Sequence, residues 1–436
     1  MLAHLVDFVS GHPVAETYSS RSQTVTIDEV VTTVIMARVT DFFGFFVYAI
    51  ASALVFPRLF FPNFDPVTGT LLSFGVFSLA FLARPFASFA GRSIQRKIGR
   101  AGKITLALMI FGTSTMAIGM LPGYDSIGWI APALLAALRI AQGLGLGGAW
   151  DGITMRLQNA APEHRKGLYA MVPQLGGPIG FGVAASLFYV LTGFLTEEEF
   201  LQFGWRFAFF GVMAVNVVSL FARLRLLTAD LGHDDEAILQ SAPFLDLIRT
   251  QWRPILFSTM IPLASYALFH MVTVFPLGYT ALFTDRPISQ IILLQLFGSV
   301  LAIGSVMLSG ILADRYSKRR VLLISTGAIL LLCLTIQTLD TYPAIYILFG
   351  FFLLGLAYGQ ASSIVPNRYP PEYRYSGSAL STNLSWIVGA AFAPFVGLYL
   401  TVQFGLWASA LYLLSGVVVT CVALYFLEQV KRATPS

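Results

Sequence analysis

Arg139, Asp41, Arg84 and His270 all fall inside long apolar runs of this 436-residue chain. An ionisable group in an apolar medium is costly unless it faces a partner or a wet cavity. Their types suggest what such a cavity would do. A guanidinium holds an anion, and a carboxylate binds and releases a proton as its partner moves. Arg139 lies about ten residues into its run, roughly 15 Å along a helix at 1.5 Å per residue. Asp41 lies at a similar depth in the first run. The two could equally form a permanent ion pair joining two helices. Arg38 precedes Asp41 by one turn on the same helical face. It is a local partner for that carboxylate or a residue snorkelling to the interface. Arg84 suits either structural pairing or substrate contact.

Around these stand polar residues of lesser weight. Gln142, Gln174 and Tyr48 flank the charged segments and are expected to orient a bound solute. Tyr266, Gln360, Asn383 and Trp386, with His270, are candidates for the cavity wall in the second half. His270 could instead be a hydrogen-bonded wall residue. Asp151 lies about 18 Å along the helix from Arg139 and is expected to pair with Arg96, Lys97 or Arg100 as a gate. Glycines 143, 145, 147 and 148 bring helix backbones close together. Pro173 and Pro178 interrupt the next segment where backbone must bend. No H-E-x-x-H or G-x-S-x-G occurs, and Gly102-Lys103 lacks the rest of a phosphate-binding loop. Cys333 and Cys421 have no metal or disulfide spacing. No enzyme chemistry, cofactor or metal is therefore expected.

The elements that must hold these residues are membrane helices. Composition is 56% hydrophobic and 11% charged, and mean hydropathy is +0.74; soluble domains average about 25% charged residues. A spanning helix needs about 20 mainly apolar residues. That criterion predicts about twelve, near 31–56, 70–91, 103–121, 129–157, 168–193, 205–227, 255–280, 288–313, 320–338, 342–365, 376–402 and 404–429. The long connection 228–254 separates two sets of six, and Pro243–Trp252 within it reads as a surface helix. The expected division is an arm at 1–30, bundles at 31–227 and 255–430, the central loop between them, and a tail at 431–436. Residues 1–29 are too polar for a cleavable signal. Lys and Arg crowd alternate connections: Arg92 to Lys103, Arg156 to Lys166, Arg223 to Arg253, Arg315 to Arg320, Arg368 and Arg374, and the tail. The opposite connections hold only Arg58, Arg206 and Arg286. This asymmetry places both termini in the cytoplasm. It also assigns the basic pI, about 9.2, to the lipid surface rather than to nucleic acid.

Several motifs then resemble the major facilitator superfamily, and its metabolite:proton symporter branch in particular. Gly310-xxx-Asp314-Arg315-Tyr316-Ser317-Lys318-Arg319 is similar to the superfamily's loop motif, which marks Asp314, Arg315, Lys318 and Arg319 as gating residues. The first-half copy is degraded: Arg92 takes the glycine slot and Arg96 the aspartate slot, while Gly99 and Arg100 match. Arg139-xx-Gln142-Gly143 resembles the fourth-helix motif. Phe81-Leu82-Ala83-Arg84-Pro85, Pro173-Gln174-Leu175-Gly176-Gly177-Pro178 and Arg374-Tyr375-Ser376-Gly377 are similar to branch motifs. Asp41 keeps one of two first-helix acids and Gly44 replaces the other. The fourth-helix acid of the branch is displaced from Ala149 to Asp151.

The resemblance implies an all-α membrane protein of twelve helices in two pseudo-symmetric six-helix bundles, sited in a bacterial inner membrane. It implies a monomeric secondary transporter working by alternating access. Deep basic groups outnumber Asp41, and a positive cavity suits an anion. The expected function is proton-coupled symport of a small organic acid. Arg139 would bind its carboxylate in a chamber open to water, Asp41 would take the proton, and Arg38 and Arg139 would assist. An exporter or antiporter of the same fold, and a transport-inactive membrane sensor, remain as alternatives.

Overall fold

The computed structural model describes residues 27–149, 154, 157–158, 161–229, 244–361, 363–364 and 369–433. The N-terminal arm, Asp151 and most of the central loop lie outside the described residues. Eleven described helices are long and apolar enough to cross a membrane. A further helix, Lys318–Leu334, is 17 residues long and occupies the place of the remaining span. In chain order the spans are α1 (Ile27–Leu54), α2 (Pro66–Gly91) and α3 (Ser93–Met120). Next come α4 (Ile130–Gly148), α5 (Glu163–Phe194), α6 (Arg206–Ala229) and α7 (Trp252–Phe283). The last are α8 (Ile288–Arg315), α9 (Lys318–Leu334), α10 (Pro343–Ala361), α11 (Pro371–Phe404) and α12 (Ala410–Ala433).

Local chemistry explains several boundaries. Asp65 starts α2, its carboxylate accepting from the N–H groups of Val67 and Thr68, with Pro66 at the first helical position. The loop expected between α2 and α3 is almost absent. Helix persists through the basic stretch and breaks at Gly99, where φ is 75°, a conformation open to glycine at little cost. Ser317 starts α9, its hydroxyl accepting from Arg320 N–H. The surface helix expected in the central loop is Phe244–Thr250, whose Leu247 packs with Ile255, Tyr369 and Leu380.

Several spans are interrupted. In α5 a 3₁₀ turn, Val172–Leu175, contains Pro173. α7 comprises Trp252–Met260, Leu263–Thr273 and Phe275–Phe283, bending beside Pro262 and Pro276. α11 passes through a π-turn, Ile387–Ala391, before Pro394. Proline removes a backbone donor and displaces the carbonyl four residues back, so each bend has a covalent cause.

The halves meet along α5–α8, α2–α11 and α1–α7. The α5–α8 seam is tight at both ends. Gly182 abuts Ser299, and Gly167 abuts Gly310 and Ala313. Toward the far end, Gly278 of α7 packs on Phe74 and Thr70 of α2. Aromatic rings fill the middle of the molecule, including Phe42, Phe45, Phe46, Phe77, Phe81, Phe269 and Trp386.

Candidate functional site

A cavity of about 10 Å³ lies between the halves, room for about one water. Arg38, Asp41, Phe42 and Phe45 of α1, Phe81 and Arg84 of α2, and Trp386 of α11 line it. A second pocket of about 20 Å³ shares Arg38 and Asp41 as wall and reaches Ala37, Ala149, Thr154 and Arg223. The Asp41 side chain, 14% exposed, therefore stands between two small polar spaces.

Asp41 is not paired with Arg139, which corrects one sequence expectation. Its Oδ1 accepts from Arg223 Nη2 at 2.7 Å, and its Oδ2 lies 4.0 Å from Arg38 Nη1. Arg223 also donates to the Ala37 carbonyl at 2.9 Å. This arginine lies inside the predicted span 205–227, although the charge pattern groups it with a basic connection. Its position one helix length from Arg206 was the available signal, because α6 runs through it without a break.

The Arg84 side chain is half-buried and points at the cavity. Its Cζ is 5.8 Å from the Phe81 ring and 5.9 Å from the Trp386 ring. No carboxylate among the described residues lies within ion-pair distance of it. Arg38 and Arg84 therefore give the cavity a positive wall, and the one acid in that wall is already held by Arg223.

Arg139 departs from expectation more sharply. It is fully buried and does not line the cavity. Its Nε donates to the Phe77 carbonyl at 3.2 Å and its Nη1 to Gln142 Oε1 at 3.0 Å. Gln142 in turn donates to Thr115 Oγ1 at 2.7 Å. The guanidinium lies 3.8 Å from the Tyr48 ring centroid, with Phe45 and Phe77 at 5.2 and 5.0 Å. Stacking on π-faces stabilises a dehydrated cation, which is how α4 carries this charge with no carboxylate partner among the described residues. The expected open chamber around Arg139 is thus replaced by aromatic packing.

The other candidates divide the same way. Trp386 lines the cavity, and Tyr266 stacks on it with centroids 4.2 Å apart. Tyr48, Gln142, Gln174 and His270 are buried and do not line the cavity. Gln360 and Asn383 are corrected to seam residues. Gln360 donates to the Gly167 carbonyl at 3.2 Å, and Asn383 donates to Ser88 Oγ at 2.9 Å, both across the halves.

Among the gating candidates, Asp314 makes the direct link between halves. Its carboxylate accepts from Gly167 N–H and, at 3.1 Å, from Leu168 N–H. Those are unpaired donors of the first turn of α5, where a negative charge is favoured. Arg319 donates to the Leu424 carbonyl of α12 at 3.1 Å, and Arg315 lies against Tyr316. Lys318 stands near Asp314. Arg96 is exposed and Arg100 half-buried; the partner expected for them, Asp151, is outside the described residues.

Residues 42–386 match the family model described as Major Facilitator Superfamily. The chain is 34% identical over 406 residues to the inner membrane metabolite transport protein YhjE of Escherichia coli, a match covering 90% of this chain and 92% of the relative. It is 28% identical over 415 residues to the shikimate transporter of Escherichia coli, covering 91% and 93%. A crystal structure of a D-xylose-proton symporter superposes with a TM-score of 0.67 over 91% of this chain and 96% of that one; at 14% identity the likeness is one of fold. Twelve spans, a charged cavity between their halves and a match through most of the length lead to one conclusion: the chain belongs to the major facilitator superfamily, and it is a membrane transporter rather than an enzyme.

Proposed function

We propose that this protein carries a small organic anion across a bacterial cytoplasmic membrane by proton-coupled symport, as a monomer with both termini in the cytoplasm. The observation that carries this reading is Arg84. A guanidinium facing a cavity between the halves, with Arg38 beside it and no carboxylate within ion-pair distance among the described residues, is an anion site. The substrate carboxylate binds there, against Trp386 and Phe81. Relatives named as metabolite, shikimate and proline/betaine transporters support a metabolite or osmolyte as cargo. A fixed positive wall favours the acids among these.

Asp41 takes the proton. It has Arg223 on one side and Arg38 on the other, so a shift of either helix changes the charge balance at the carboxylate. Two bundles meeting along seams of short side chains and glycine support alternating access. Asp314 on the first turn of α5 supports a working gate at the basic end, which argues against an inactive sensor.

Uptake into proteoliposomes with an imposed pH gradient tests the assignment. Asp41→Asn is expected to abolish accumulation driven by the gradient while counterflow of the anion persists. Unchanged pH dependence in that variant would mean that the proton binds elsewhere.

A further inference from the structure

The rings that wall the cavity hide a second group of polar atoms. His270 of α7 has no exposed surface, and neither of its ring nitrogens has a hydrogen-bond partner among the described residues. Phe45, Phe77, Phe81 and Trp386 surround it, with centroids 5.3 to 6.3 Å away. Phe45 and Phe77 also flank Arg139. Arg139 Nη2 and the Tyr48 hydroxyl are likewise buried and unpartnered. Leaving a buried polar group unpaired costs about 1–3 kcal/mol. Packing alone gives no reason to bury several such atoms against the same rings, Phe45 and Phe77 for His270 and Arg139 and Phe77 again for Tyr48. A site that is filled in another arrangement of the helices does.

The chemistry of the group identifies the occupant. Arg139 offers N–H donors and a fixed positive charge, Tyr48 a hydroxyl, and His270 one ring N–H. No carboxylate from the described residues reaches them. Donors surrounding a fixed cation match a carboxylate.

We propose that His270, Tyr48 and Arg139 Nη2 form a second binding subsite, which receives a second carboxylate of the transported anion. The inference rests on the organic-anion reading and narrows it to dicarboxylates, with one end at Arg84 and the other at His270. Phe45, Phe81 and Trp386 line the cavity and also pack on His270. They are the partition that must part for both ends to be held at once. The backbone has places to yield beside two of the elements involved. α7 is interrupted at Val274, four residues after His270, and the π-turn of α11 begins directly after Trp386. His270 is thus a specificity-determining residue contributed by the second half to a subsite whose other members, Tyr48 and Arg139, belong to the first.

Ligand-dependent thermal stabilisation of the purified full-length protein tests this with matched acids: butyrate against succinate, and valerate against glutarate. Wild type is expected to bind the dicarboxylate of each pair at least about tenfold more tightly, equivalent to about 1.4 kcal/mol. His270→Phe keeps a ring in the box without its donors, and is expected to bring that ratio close to one. Tyr48→Phe, which removes a single oxygen, is expected to lower it several-fold. Equal binding of the two classes by wild type, or an unchanged ratio in both variants, would overturn the subsite and leave the anion reading standing. Binding of a neutral sugar or a zwitterion, with no response to any of the four acids, would overturn both.

Discussion

Asp41 and Arg139 show what sequence spacing can and cannot assign. Both were legible as buried charges because each interrupts an apolar run. Their partners were not, because an ion pair is a matter of Ångströms between helices far apart in the chain. Arg223 is 182 residues from Asp41 and meets it at 2.7 Å. Arg139 has no carboxylate partner among the described residues and rests on the faces of Tyr48, Phe45 and Phe77. The Asp41–Arg223 pair carries its own prediction. Removing one member of a buried pair strands the other charge and costs about 3–5 kcal/mol. Arg223→Gln is therefore expected to lower the unfolding temperature clearly. The double variant with Asp41→Asn should recover part of the loss, as a double-mutant thermal unfolding cycle would measure.

The helices hold these side chains through close backbone contact. Gly143 and Gly147 lie one turn apart on the face of α4 that meets α2. A Cβ at Gly143 would stand 2.2 Å from the Ala80 carbonyl oxygen, and one at Gly147 2.3 Å from that of Arg84. α4 therefore fixes the backbone from which Arg84 projects. Gly147→Ala is expected to destabilise the protein by about 1–3 kcal/mol, as overpacking does, and to weaken anion binding as Arg84 shifts. Gly148→Ala is the control: its Cβ would meet only the Ala107 methyl, at 3.1 Å, and thermal unfolding with an anion titration should show the smaller effect. The glycines were visible as packing residues in the sequence, whereas the helix they approach was not. Likewise Pro173 announced an interruption in α5, but the π-turn of α11 had no such signal, since π geometry begins several residues before Pro394.

Across the assembled halves, a few polar contacts bridge the seams. Asp314 caps α5 from α8, Gln360 bonds to Gly167, and Asn383 bonds to Ser88. A charged cap at a helix N-terminus contributes typically 0.3–1 kcal/mol and more when partly buried, enough to shift the balance between two states of similar energy. Asp314→Asn is expected to favour opening at the basic end. A cysteine replacing Ser309, which is buried beside Gln360, should then react several-fold faster with a thiol reagent, after Cys333 and Cys421 have been replaced. An unchanged rate would show that the cap does not hold the gate.

The sequence by itself determined the solvent, the helices and the family. Apolar runs of membrane-spanning length, the alternation of basic connections and motifs in order are all one-dimensional properties, set by hydrophobicity and backbone chemistry along the chain. Only the tertiary structure decided which charges share a space. It paired Asp41 with Arg223, turned Arg84 into the cavity and sealed Arg139 with His270 behind aromatic rings. Those outcomes depend on how twelve similar cylinders rotate and lean on one another, through many weak contacts that no single segment encodes.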